Sequence, residues 1–362
     1  MFSLNAVSKY NTLTRCPALL LISLACSISC NEKRSERTVE RSFYYWKSVF
    51  TLTRFEEQRL DSLEVKTLYI KFFDVDWDEE SRSPVPVAKL QVTNNKLPEK
   101  IQVIPVVFIS NECIRKTDPS QITMLANRIH TLIQDIISGN RFKSIKEIQI
   151  DCDWTQATKE KYFRLLNDLK QKVTDLPNGQ AGYKLSCTIR LHQIKFLVKT
   201  GVPPVDRGLL MCYNMGNLKN PATKNSILET RELKKYSSNL SNYPLPLDLA
   251  LPLFDWKVLY RNNSYAGLIQ NLPGNCFTDA FTKRTGNRYE ILKDTLLNGY
   301  ELRKGDLIRD EQSDLKEILA AANEAGSRLK NTQLRVSLYH LDSVILNKYT
   351  TNELESIYNS LR

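Results

Sequence analysis

The chain has 362 residues, 42% hydrophobic and 25% charged, and a formal net charge of +11 from 51 basic and 40 acidic side chains. That balance excludes a disordered chain and suits one large domain or two ordinary ones. The basic residues are scattered and no nucleic-acid motif accompanies them. Nucleic acid is therefore not an expected partner, and the charge reads as solvated surface favouring a nearby anionic membrane or polyanion.

Residues 1–30 read as an address. Lys9 and Arg15 precede an apolar run over 17–28, too short to span a bilayer and right for the core of a signal peptide. The run ends at Cys30, followed by the polar Asn31, Glu32 and Lys33. Small residue, cysteine and polar tether are similar to the lipobox of bacterial lipoproteins, whose cysteine is lipidated after cleavage. Ser27 stands where leucine is usual, and Cys26, after Leu24 and Ala25, is a rival. The resemblance implies a signal peptide over 1–30, a tether over 31–42 and a lipid-anchored place in the bacterial cell envelope, on the outer membrane or its periplasmic face. Plain secretion is the alternative. Loss of this leader leaves +9. The remaining cysteines, Cys113, Cys152, Cys187, Cys212 and Cys276, are odd in number and lack metal-like spacing. They predict buried free thiols. With three histidines in the chain, no metal and no cofactor are expected.

The predicted elements alternate. A helix is expected over 41–65, a strand over 67–76, a weak extended segment over 85–92, and a branched, buried strand over 101–110. Asp118 and Pro119 open a helix ended by Gly139. A strand over 145–154 carries Ile148, Ile150 and Cys152 on one face and Gln149, Asp151 and Asp153 on the other. A helix over 156–173, a Pro-Asn-Gly turn, and strands over 183–191, 207–215 and 247–254 follow. Residues 257–269 read as helical, 289–302 as a hairpin around Asn298-Gly299, and 313–329 as helix. A last strand over 334–341 and a helix over 351–361 close the chain.

Apolar strands alternating with helices argue for a parallel sheet covered by helices. With 85–92 counted there are eight, which predicts an α/β fold: a (β/α)8 TIM-like barrel over 43–362, with an insertion at about 270–330 before the last strand. An open doubly wound sheet is the alternative, but no Gly-rich phosphate loop follows any strand.

Three of the four tryptophans fall in Asp-Trp pairs, Asp76-Trp77, Asp153-Trp154 and Asp255-Trp256, each at the end of a predicted strand. In a barrel these ends share one rim, where indoles stacking on sugar rings and carboxylates binding hydroxyls would form a carbohydrate cleft. Asp151-Cys152-Asp153-Trp154, then Met211-Cys212-Tyr213-Asn214 two strands later, then a strand after a long insertion, resemble the family-18 glycoside hydrolases. That family carries Asp-x-Asp-x-Glu on strand four and Met-x-Tyr-Asp on strand six. The leader, the Tyr-Tyr-Trp-Lys segment and the strand ending Asp-Val-Asp-Trp-Asp also resemble uncharacterised bacterial lipoproteins with such barrels.

Two departures qualify what the resemblance implies. The family's glutamate protonates the leaving oxygen while the substrate's acetamido group supplies the nucleophile; here that position is Thr155, which has no carboxyl to tune. The aspartate of strand six is replaced by Asn214. Asp151, Asp153, Met211 and Tyr213 match, so the family's ordinary mechanism is not expected. Asp151, Asp153 and Tyr213 remain the candidates for chemistry. Asp74, Asp76, Trp77, Trp154, Arg190, His192, Met211, Asn214, Asp255, Trp256 and Tyr339 are the candidates for ligand binding. Asp74, Asp76, Asp255 or Asp342 could form a nonstandard carboxylate pair with Asp153. His192 and His340 read first as structural, and Glu311 is an outside candidate. Two functions follow: an anchored glycan-binding barrel, or a non-enzymatic lipoprotein docking a partner. The first requires an open cleft; the second predicts a plugged mouth and an apolar patch elsewhere.

Overall fold

A computed structural model describes residues 37–93, 100–140, 142, 145–174, 182–270, 272 and 276–362. The expected signal peptide, the lipidated Cys30 or Cys26, most of the tether and the Pro-Asn-Gly turn lie outside the described residues.

Eight parallel strands close into a barrel: β1 Thr38–Tyr45, β2 Thr67–Asp78, β3 Gln102–Ile109, β4 Glu147–Asp151, β5 Lys184–Arg190, β6 Arg207–Met211, β7 Leu247–Pro252 and β8 Gln333–Tyr339. Each pairs with its neighbour in sequence, and β1 joins both β8 and β2, which leaves no edge between first and last. Alternation decides what each strand offers to either side. Along β1, Arg41 reaches outward to Leu63 and Glu355, while Glu40 and Tyr44 reach Arg335 and Gln149 across the interior. Tyr44 stacks on Tyr69 of β2 at 4.7 Å, so aromatic rings fill the middle of the cylinder.

Two expectations fail here, and their errors cancel. Residues 41–65 are not one helix but β1 and a helix Arg54–Ser62. Aromatics on both faces of β1 hide its period of two, and the helix starts only at Thr53, whose side chain and Glu56 form a capping box. The segment 85–92 is not a barrel strand. Ser83–Val87 folds back antiparallel on the extended end of β2, and Gln91–Val92 pairs with Val49–Phe50. One strand is gained and one lost, so β4 is still fourth and β6 still sixth.

Helices shield the outer face. Ile122–Gly139 buries Leu125, Ala126, Ile129 and Ile133, and Lys159–Thr174 buries Tyr162, Leu165, Leu166 and Leu169. This is the spacing of a single apolar stripe. Thr351–Asn359 is fixed by a second capping box at Thr350 and Glu353, a device worth about 1 kcal/mol. Cys113, Cys152, Cys187 and Cys212 are buried free thiols. Among the described residues no helix is long and apolar enough to cross a membrane.

Between β7 and β8 lies a five-stranded antiparallel sheet with its own small core around Leu259, Ile269, Tyr289, Ile291 and Ile308. Residues 257–269, expected as helix, are its first hairpin, Asp255–Arg261 and Ser264–Ile269. Asn262 and Asn263, both left-handed, make the turn that a helix pattern conceals.

Candidate functional site

The C-terminal ends of all eight strands open into a cleft of about 1030 Å³. β4 presents Asp151 and then Asp153 on the face it turns to the barrel interior. Asp151 is buried and accepts a hydrogen bond from Thr188 Oγ1 at 2.6 Å. Burial first, and the neighbouring Asp153 second, lift its carboxyl to about 6, against the opposing pull of Arg190. Asp153 is gripped by Arg190 through both Nε and Nη2, the latter at 2.9 Å. Burial disfavours the guanidinium charge, but Asp153 more than restores it, so Arg190 stays a cation.

Other cleft carboxylates are also claimed by cations. Asp74 pairs with Lys71 at 2.9 Å, Asp342 with Lys47 at 2.7 Å, and Asp255 with Lys348. Burial would raise the Asp342 carboxyl, yet the Lys47 ammonium holds it below the usual carboxylate range. Burial pushes the His340 imidazole down, so it is neutral at neutral pH. Among the buried side-chain atoms of the described residues that line the cleft, three have no hydrogen-bond partner: Tyr213 Oη, Asp74 Oδ1 and His340 Nδ1.

A belt of rings crosses the cleft. Trp46 meets Tyr339 at 5.7 Å, Tyr339 stacks on Tyr213 at 5.2 Å, Tyr213 meets Phe254 edge-on at 5.8 Å, and Phe254 meets Trp256 at 5.2 Å. Trp256 is held by its Nε1–H, which donates to Glu311 Oε2 at 2.6 Å. Glu311 is itself buried against Arg309 and the Ser226 hydroxyl. The outside candidate Glu311 thus positions a ring and does not line the cleft.

The fold brings together Asp74, Asp151, Asp153, Arg190, Met211, Tyr213, Asn214, Asp255, Trp256 and Tyr339 of the candidates. Four others lie outside. Trp154 is fully buried, stacked on Tyr162, with its Nε1–H spent on the Thr200 carbonyl at 3.0 Å. Trp77 sits on the hairpin that extends β2, near Lys116, and Asp76 is exposed and accepts from Ser110. His192 is exposed on the short helix Leu191–Lys195. The expected convergence of three Asp-Trp pairs is therefore corrected: the pairs share an end of the barrel, but only Trp256 enters the cleft. Thr155 is exposed, and its amide and hydroxyl are engaged with Thr158 Oγ1 where the next helix begins.

Sequence reasoning missed Trp46, Lys47, Phe254 and Lys348. Trp46 had a signal, since it follows the alternating run of β1 as the other tryptophans follow theirs, but the helical reading of that run masked it. Among the described residues no group of three or more His, Cys, Asp or Glu side chains is placed to hold a metal ion. Aromatic faces beside carboxyl groups and a phenol without a partner can stack on a sugar ring and bond its hydroxyls.

No protein-family model and no curated relative matches the chain. Solved structures do. The C-terminal domain of a candidate chitinase from Desulfitobacterium hafniense DCB-2 superposes with a TM-score of 0.52 at 10% identity, over 90% of this chain and all of that one. The chitinase-like agglutinin RobpsCRA of Robinia pseudoacacia superposes with a TM-score of 0.51 at 13% identity, over 88% and 99%. The spore cortex-lytic enzyme SleL of Bacillus cereus gives 0.47 at 14% identity, over 90% and 75%. The chain has the fold of a chitinase-like glycoside hydrolase barrel.

Proposed function

On the premise of that fold, we propose that the protein is an envelope-anchored, glycan-binding barrel that holds its ligand in the C-terminal cleft without the hydrolytic step of the family-18 enzymes. The observation that carries this reading is the aromatic belt from Trp46 to Trp256, with the unpartnered Tyr213 hydroxyl at its centre. A general acid must hold a proton near neutral pH and reach the leaving oxygen. Thr155 has no carboxyl, and Asp74, Asp153, Asp255 and Asp342 are each already paired with a cation. Asp151 has a suitable affinity for a proton, but its carboxyl is buried beneath Asp153 and already bonded to Thr188. An open mouth also favours glycan binding over partner docking, which calls for a plugged one.

Tyr213→Phe is the sharpest test. It removes a buried hydroxyl that has no partner, so the unfolding midpoint should hold or rise slightly. Affinity for the best ligand from a glycan array that includes chitin oligosaccharides should fall about tenfold, since one hydrogen bond to a sugar hydroxyl is worth roughly 1 kcal/mol or more. Hydrolysis of that ligand should be absent from both proteins. A glycan affinity indifferent to Tyr213→Phe, or measurable turnover, would refute the proposal. Anchoring is tested separately: Cys30→Ala should abolish palmitate labelling and release the protein from membranes, whereas loss of label only with Cys26→Ala would move the anchor.

A further inference from the structure

The opposite end of the barrel carries a charge pattern that the cleft does not use. Four lysines stand at the starts of four adjacent strands: Lys66 before β2, Lys100 before β3, Lys146 before β4, and Lys184 as the first residue of β5. All four are exposed. Among the described residues none of their ammonium groups has an ion pair or a side-chain hydrogen bond. Three of them, with Thr67, Ile101, Gln102 and Glu40, surround a hollow of about 320 Å³. The carboxylates at this end are committed elsewhere. Glu40 and Glu147 bind Arg335, Asp206 binds Lys170, and Asp248 binds Arg207. Among the described residues the exposed counter-charges left without an ion pair near this mouth are Glu64, next but one to Lys66 in sequence, and Asp61 and Asp135, in the last turns of the helices that precede β2 and β4.

The chain also enters the barrel at this end, because β1 starts here with Thr38. Six residues lie between Cys30 and Arg37, and seven Cα–Cα steps fully extended cover at most about 25 Å. Exposed large hydrophobics lie elsewhere: Phe196 and Val198 follow β5, and Val344 follows β8, at the cleft end.

We propose that the N-terminal mouth of the barrel, through Lys66, Lys100, Lys146 and Lys184, docks electrostatically on an anionic bilayer, so that the cleft faces away from the membrane. The inference rests on the anchored reading above, which brings this face to a lipid surface. Its occupant is the negatively charged headgroup layer. Juxtamembrane lysines are attracted to such a layer within about one Debye length, without insertion.

The test uses residues 31–362, which contain the whole closed barrel and its cores but not the lipidation site. Sedimentation with vesicles of mixed phosphatidylglycerol and phosphatidylcholine should capture this protein at low salt, and pure phosphatidylcholine vesicles should not. The variant K66Q/K100Q/K146Q/K184Q should bind the anionic vesicles several hundred-fold more weakly, at roughly fivefold per lysine. K195Q/K199Q, at the cleft end, should bind within twofold of the parent. Among the described residues the four lysine side chains make no ion pair or hydrogen bond, so an unchanged unfolding midpoint in the fourfold variant establishes that the barrel is intact. Equal capture by neutral vesicles, undiminished binding by the fourfold variant, or saturation by inorganic phosphate with no vesicle preference would overturn the proposal. A failure of the anchored reading shows instead as absent palmitate labelling in the full chain, which this assay does not involve.

Discussion

The two mouths of this barrel are built from the same chemistry and put to different ends. At the N-terminal mouth Arg335 donates to Glu147 at 2.9 Å and the Tyr69 hydroxyl at 3.0 Å inside the cylinder, and to Glu40 at 2.7 Å at its rim. Asp248 accepts from the Arg335 amide and from Arg207, each at 3.0 Å. At the C-terminal mouth Arg190 holds Asp153 at the edge of the open cleft, where the Asp153 side chain keeps 45% of its exposure, while Asp151 below has one hydroxyl for a partner. Asp248 and Asp151 are both pushed to about 6, chiefly by burial. Two arginines then pull Asp248 back, whereas Asp153 pushes Asp151 further. Cations converging on buried carboxylates make a plug; Asp151 and Asp153, crowded together with Arg190 at the open cleft, keep capacity for a ligand.

Arginine removal at each end is the largest test of this contrast. Arg335→Met strands Glu147 in the interior and leaves Asp248 paired with Arg207 alone, and should cost about 3–5 kcal/mol in denaturant unfolding, with the cleft intact. Arg190→Met leaves a half-exposed carboxylate that water can reach, so it should cost only about 1 kcal/mol. Equal losses would mean that the C-terminal mouth is as structural as the other.

A smaller effect, in pH, follows from Asp151. Its carboxyl binds a proton more tightly in the folded chain, at about 6, than in the unfolded chain, where it titrates in the ordinary carboxylate range. Stability from this group is fully present below about pH 4, declines between about 4 and 6, and is flat above, a loss of about 3 kcal/mol at most. Asp248 contributes in the same direction. Asp151→Asn should flatten the part due to Asp151 and raise stability at pH 7 relative to the parent. The free energy of unfolding at pH 4.5 and 7, measured for both proteins, checks the sign.

How much of this was legible depends on what each residue does alone. The barrel could be read, because buried parallel strands are continuous apolar runs, and the two short motifs mark the ends of β4 and β6; their ranks come out right only because the strand missed at 38–45 offsets the one counted at 85–92. Asp151, Asp153, Met211 and Tyr213 reach the cleft by alternation from those runs, which needs no tertiary information. The tryptophans were half legible. A strand end fixes which mouth a ring is near, but whether it faces the cleft or packs under a helix depends on partners distant in sequence. Trp154 finds Thr200 and Tyr162, while Trp256 finds Glu311 on a strand of the insertion. Long-range pairing likewise decides that 257–269 becomes a hairpin.

Asn214 gives the finest test, at the position where the family motif departs. Its backbone is left-handed, with φ of +53°, and its amide is fixed to the Ile227 carbonyl at 2.8 Å. Asparagine and aspartate tolerate that conformation because their short polar side chains can bond locally, whereas alanine pays roughly 1 kcal/mol. Asn214→Asp should therefore leave the unfolding midpoint nearly unmoved and Asn214→Ala should lower it slightly. If the cleft recognises a neutral sugar through an amide at this point, the aspartate variant should lose affinity while keeping stability, a separation that no residue of the Arg335 plug should display. A parallel loss of both would make Asn214 a turn residue and reduce the difference between the two mouths to one of shape.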